Sequence, residues 1–207
     1  MLSGPVGPAH AGDALAEADL LKHPLFQRDV QQARALLEAA GQSNLGFAIE
    51  GPNTTTLRAI AGLIDTQLHE AGLAQRVNLL PPADWEPLFL AGDFDAALFE
   101  LEDLHTPDIG LRLHLTGGLS GNFSLWGYSD PVYDNAARQV FTELEPKQRA
   151  ERSRNAQRVL LDQVPAMFPL PTPPEYASVA GHVRGYEFDA YEFNESRLSS
   201  QWRAAES

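Results

Sequence analysis

Residues 45–81, LGFAIEGPNTTTLRAIAGLIDTQLHEAGLAQRVNLLP, hold two short apolar runs with a long helical pattern between them. The runs LGFAIEG (45–51) and QRVNLLP (75–81) are of strand length. Between them Leu57, Ile60, Ala61, Ile64 and Leu68 recur at helical spacing, with Thr54 or Thr55 as N-cap and Gly72 as the stop. Upstream, Val30, Ala33, Leu37 and Ala40 repeat the helical spacing; Asp29 suits the positive end of that helix and Gly41 its left-handed exit. Downstream, ADWEPLFLAG (83–92) reads as a short helix and DFDAALFEL (93–101) as a third strand. The order strand, helix, strand, helix, strand predicts a sheet with parallel neighbours covered by helices.

Residues 1–27 mix Gly and Pro with a short helix around Asp13 to Leu21 and show no strand pattern, so they read as a connecting arm. Residues 28–207 then form the main body. Beyond the third strand, a glycine-rich stretch from Thr106 to Asp130 predicts a short helix followed by an irregular loop. Asp130 and Pro131 open a helix through Val132, Ala136, Val140 and Phe141. A further helix runs from Pro146 through Ala156 and Leu160 to Pro165. AMFPLPTPPEYASVA (166–180) reads as proline-interrupted edge strands, and the tail as one short strand and a closing helical turn, with RLSSQW at 197–202.

Fifteen basic against 28 acidic residues give a formal charge of −13, the wrong sign for gaining affinity from nucleic-acid phosphates. No apolar stretch reaches the roughly 18 residues of a membrane span, and the first residues lack the regions of a secretory signal. The absence of cysteine excludes disulfides, thiolate nucleophiles and Cys-based metal sites.

Chemistry concentrates at the mouth of the third strand, where AGDFDAALFELEDLHTPD (91–108) places Glu100, Glu102, Asp103, His105 and Asp108. Ligands of open α/β sheets bind outside the carboxyl ends of strands. Grouped carboxylates there would attract an amine, a guanidinium or a metal ion. The plainer alternative is a solvated acidic loop. Glu102 and Asp108 fit that alternative better, while Glu100 and Asp103 are balanced between the two. His105, without a second histidine at ligand spacing, reads as a surface residue rather than a metal ligand. In the glycine-rich loop, Asn122 is a candidate hydrogen-bonding amide and Trp126 a candidate stacking wall, although Phe123 and Trp126 read more simply as anchors onto the core. Trp85 and Trp202 read as packing residues.

Nothing points to catalysis. Ser120 and Ser124 lack the G-x-S-x-G spacing, no phosphate-cradling glycine motif is present, and the acids and His105 have no evident nucleophile beside them.

Several motifs in one order carry a resemblance. ARALLEAAGQ (33–42), LHEAGLAQRVNLL (68–80), the GDFD turn (92–95), NFSLWGYSDPVYDNAARQV (122–140), AERSRNAQRVLLDQVPAMFPL (150–170) and VRGYEF (183–188) are similar to segments of the extracytoplasmic solute-binding proteins of ABC transporters. The resemblance is to the C-terminal lobe of the large dipeptide, oligopeptide and nickel-binding type, and covers roughly residues 28–203. It implies one α/β lobe of a periplasmic-binding-protein-like fold, a mixed sheet with flanking helices, cut from a two-lobed protein whose N-terminal lobe and secretion signal lie outside this chain. It also implies a peptide or other small solute as ligand, for which the grouped acids would suit a cationic one, an ABC permease as membrane partner, a periplasmic or extracellular location, and no cofactor. Counted back from Pro107, Asp103 stands where peptide-binding relatives hold the ligand's amino terminus. Glu100 stands where they usually carry tryptophan, so an aromatic wall has become a charge. Two other functions share such a fold: a ligand-sensing regulatory module, and an interaction domain that self-associates through an exposed lobe face.

Overall fold

The computed structural model describes residues 2–100, 106–118, 127–163, 168–171, 178–184 and 203–204. The expected alternation is realised in α2 to β3 of the following order: α1 (Glu17–Leu20), α2 (Val30–Ala39), β1 (Ala48–Pro52), α3 (Thr55–Ala71), β2 (Arg76–Leu80), α4 (Pro82–Ala91), β3 (Ala96–Ala97), α5 (Asp108–Arg112), α6 (Pro131–Phe141), α7 (Pro146–Asp162), β4 (Val183–Arg184) and β5 (Arg203–Ala204). The chain divides into two units, residues 27–101 and residues 1–26 with 102–207. No helix among the described residues is long and apolar enough to cross a membrane.

In the first unit β1 lies between β2 and β3, parallel to both. The register sets Ile49 opposite Val77 and Ala96, and Gly51 opposite Leu79. Alternation then turns these side chains to one face, where Ile49 and Leu98 bury with Leu57 and Ala61 of α3. The crossing from β1 to β2 travels opposite to that from β2 to β3, so right-handed crossovers place α3 and α4 on opposite faces. On α4, Trp85 is buried and joins Phe89, Phe94 and Phe99 in an aromatic group with centroids 5.0 to 6.4 Å apart. Trp85 is therefore a packing residue. The helix boundaries have local causes: Thr54 accepts the Leu57 N–H at 3.1 Å, and Gly72 leaves α3 at φ 94°.

One element of this unit departs from expectation. The third strand is two residues rather than nine. At its start Asp95 accepts the Ala48 N–H at 2.9 Å, so a side chain occupies a ladder position, and only the Leu98 N–H, 2.7 Å from the Glu50 carbonyl, extends the pairing. The stripe of α2 is its less exposed face: Val30, Ala33 and Leu37 are half-buried, while Leu36, off the stripe, is 63% exposed. Its Arg34 also donates to the Glu70 carbonyl at 2.6 Å, and Arg28, just before the helix, pairs with the Glu70 carboxylate.

In the second unit α6 and α7 pack through Tyr133, Ala137, Val140, Ala156 and Leu160, joined by Leu111 of α5 and Val6 of the arm. Asp130 caps α6, accepting from Val132 and Tyr133, with Pro131 in the first turn. The arm's helix is shorter than the Asp13 to Leu21 pattern. The Asp13 carbonyl is taken by Ser153 Oγ at 2.9 Å and Gln157 Nε2 at 2.8 Å, while Gln157 Oε1 accepts the Leu15 N–H at 3.3 Å. These bonds from α7 hold residues 13–15 out of a helix. The expected edge strands of 166–180 do not form at 168–171, where Pro169 and Pro171 remove ladder donors, or at 178–180. The tail supplies β4, antiparallel to β5; the helical turn expected at 197–202, with Trp202, lies outside the described residues.

Candidate functional site

In the order β2, β1, β3, the chain leaves β1 in one direction and returns past it in the other. The switch point of this sheet therefore lies at the carboxyl ends of β1 and β3, the usual place for a ligand in such sheets. Asn53 and Thr54 follow β1 there, at the start of α3, and Leu98, Phe99 and Glu100 follow β3. Gly51 permits the close approach of these two strand ends: a Cβ on it would stand 2.2 Å from the Leu98 carbonyl oxygen. Leu98 turns inward, Phe99 meets Phe89 at 5.0 Å, and Glu100 is exposed. Of the acids predicted from sequence, Glu100 is thus a solvent-facing carboxylate at the switch point.

Glu102, Asp103 and His105 fall at 101–105, and Asn122, Phe123 and Trp126 at 119–126; all six lie outside the described residues, as do Ser120 and Ser124. Asp108 opens α5 and takes the Arg112 Nε–H at 2.8 Å. Burial pushes its carboxyl up, but hydrogen bonds from Thr106 and Arg112 and the Arg112 charge outweigh burial and hold it below the usual range. Asp108 is therefore a paired structural acid rather than a freely solvated one. Arg112 also stacks on Phe141 of α6, 4.1 Å from the ring centroid.

One polar group escaped the sequence reading. Glu50, half-buried on the central strand, accepts from the Asn78 amide of β2 at 3.3 Å. Its signal was a carboxylate inside the otherwise apolar run FAIEG. In the other unit, Tyr128 leads into α6 and rests edge-on against Tyr133 and His114, with centroids 6.0 and 6.3 Å away. Burial, with Asp130 and Asp134 nearby, pushes its phenol up to about 12. This end of the glycine-rich loop is anchored in the core.

A separate cleft of about 290 Å³ opens between the arm and α7. Its floor is Leu15, Leu20 and Leu161; on its rim stand Arg158, the pair His23 and Asp162 at 3.2 Å, and the pair Lys22 and Asp19 at 3.6 Å.

No protein-family model and no curated protein matches the chain. Solved structures of similar fold do. The chain is similar to the Escherichia coli murein tripeptide-binding protein MppA, at 20% identity and a TM-score of 0.64, over 89% of this chain and 37% of that one. It is similar to the periplasmic binding protein DppA of Helicobacter pylori, solved in complex with a peptide, at 16% identity and a TM-score of 0.71, over 100% of this chain and 39% of that one. Against Haemophilus influenzae OppA the identity is 16% and the TM-score 0.67, over 99% and 40%. The resemblance carried by the sequence motifs is met in three dimensions: the chain has the α/β fold of part of a periplasmic peptide-binding protein, and spans about two fifths of the length of these chains.

Proposed function

We propose that the chain is the C-terminal lobe of a solute-binding protein that delivers a small peptide-like or amine-bearing solute to an ABC importer. The observation that carries this reading is the match of the whole chain to DppA at a TM-score of 0.71. The exposed Glu100 at the switch point agrees with it, since a carboxylate at the carboxyl edge of a parallel sheet suits a cationic group. In this reading Glu100, Glu102 and Asp103 face the solute's positive charge, Asn122 and Trp126 contribute a second wall, and residues 1–27 are the arm that enters from an N-terminal lobe. The lobe binds and releases; it performs no chemistry on its cargo. Its setting is the periplasm or the cell exterior, with the permease as the membrane partner.

The direct test is to purify the natural protein from its source, release its small molecules with acid and identify them by mass spectrometry. Peptides or amines are expected, and Glu100→Gln with Asp103→Asn should deplete them. Recovery of only nucleotides or sugars, unchanged in the double variant, overturns the reading. A closed, water-excluded site needs both walls, so the 207-residue chain alone should bind a cationic tripeptide feebly in a calorimetric titration. Tight stoichiometric binding by the chain alone would contradict the two-lobed reading.

A further inference from the structure

His114, just beyond α5, has no exposed surface, and among the described residues neither ring nitrogen has a hydrogen-bond partner. A buried histidine kept for packing usually spends at least one nitrogen on a carbonyl or carboxylate. Among the described residues, the ring stands edge-on to two aromatic rings, Tyr128 at 6.3 Å and Tyr133 at 6.2 Å between centroids. The surrounding segment is fastened to α6 on either side of it. Tyr133 Oη donates to the Leu111 carbonyl at 2.6 Å, the Asp134 carboxylate accepts the Thr116 N–H at 3.0 Å, and Arg112 stacks on Phe141.

We propose that His114 is an acid-operated latch on residues 106–118: as a neutral ring it seals this segment onto α6, and on protonation it releases the segment. Among the described residues, the titratable groups facing the ring are Tyr128 and Tyr133, neither of which offers a negative charge in the range concerned. The carboxylates behind them are engaged: Asp130 accepts from Tyr128 at 3.4 Å, and Asp134 pairs with Arg138 at 3.6 Å. On α5, Asp108 and Arg112 are paired with each other. Where the arm meets α7, Asp13 and Arg149 stand 3.8 Å apart, and the residues that arm and α7 give to this core, Val6, Ala14, Ala156 and Leu160, are apolar. An imidazolium here would meet no free compensating charge among the described residues, and burial pushes His114 down to about 4 from its ordinary 6.5.

The sign follows from linkage. Between pH 6.5 and 4 the released or unfolded segment binds a proton that the sealed one does not, so the stability that the neutral ring contributes is complete above pH 6.5 and declines as pH falls toward 4. Across that window the ratio of open to sealed forms rises by up to about 300-fold. The segment joins the stretches that carry Glu102 and Asp103 on one side and Asn122 and Trp126 on the other. Acidification would therefore loosen the solute's contacts, a consequence that rests on the solute-binding reading.

The test needs no solute. The imidazole resonances of the 207-residue chain are titrated by NMR, with His114 assigned through its bonds and confirmed by its absence in His114→Phe. Amide exchange at residues 113–118, corrected for the intrinsic rate, is followed over the same range. A midpoint below 5 is expected, with protection at 113–118 falling before that of residues 76–80, and with His114→Phe holding its protection down to pH 4. A midpoint near 6.5, or equal loss of protection in His114→Phe, overturns the latch. Should His114→Phe not fold, the native titration decides alone. Because no ligand enters, failure here leaves the transport reading standing, and failure of that reading leaves the latch standing.

Discussion

Tyr133 shows how much a single side chain fixes in the second unit. Fully buried on α6, it donates to the Leu111 carbonyl, which also accepts the His114 N–H at 3.2 Å. Burial, with Tyr128 and Asp134 behind it, raises its phenol, so the hydroxyl remains a donor at every physiological pH. Tyr133→Phe removes the donor and leaves the carbonyl its second partner, so the loss is that of one ordinary buried bond. We expect a destabilisation of about 1 kcal/mol in urea unfolding, and an unchanged midpoint would show that the bond carries no weight. Gly51→Ala should cost more. Its Cβ would meet a backbone oxygen at 2.2 Å, and no rotamer relieves a clash with backbone. A loss of about 1–3 kcal/mol is expected from the forced shift of β3. Residues of this kind divide by legibility. Asp29, Asp130 and Gly72 were readable because capping and left-handed turns are local chemistry. The bond from Tyr133 to Leu111 and the lack of a partner for the His114 nitrogens among the described residues were not, because each depends on what the fold brings to the ring from far along the chain.

At the scale of elements, periodicity found the helices and missed what fastens them. The helix pattern of 55–71 and the order of alternation were read correctly, since an apolar stripe of that length admits one structure. The brevity of β3 was not readable, because the Asp95 carboxylate replaces a ladder bond and sequence alone does not show which acid will do so. In α2 the stripe Val30, Ala33 and Leu37 was legible, whereas the bond from Arg34 to the Glu70 carbonyl was not, because it depends on which residue of α3 the fold sets beside it. The capped helices give a direct check. Asp130 takes two N–H groups at the start of α6, so Asp130→Ala should cost about 1 kcal/mol by thermal or urea unfolding; Asp130→Asn, which can still accept, should restore most of it. If the two variants are equally stable, the cap is not what opens α6. For the site, the acids at the mouth of the third strand were visible as composition, and the switch point that gives Glu100 its position became definite only with the strand order.

The whole molecule sets a background against which the latch must be read. With a charge of −13 at pH 7 and an isoelectric point near 4.7, acidification removes negative charge and relieves self-repulsion, which favours the folded chain. Burial of His114 acts in the opposite direction over the same interval, from about pH 6.5 to 4. The two effects differ in range. Repulsion among exposed carboxylates is spread over the surface and is screened by salt, with a Debye length of about 10 Å at 0.1 M and about 3 Å at 1 M. Desolvation of one enclosed ring is not. Unfolding free energy measured against pH at low salt should therefore be nearly flat or rise slightly toward pH 5, while at about 1 M sodium chloride it should fall with acid, with a slope approaching 1.4 kcal/mol per pH unit for one proton. The same measurement on His114→Phe should lose that slope at high salt and keep the low-salt gain on acidification. A native chain whose pH profile is the same at both salt concentrations would show that surface repulsion is not what masks the proton, and the two terms would have to be sought elsewhere in the chain.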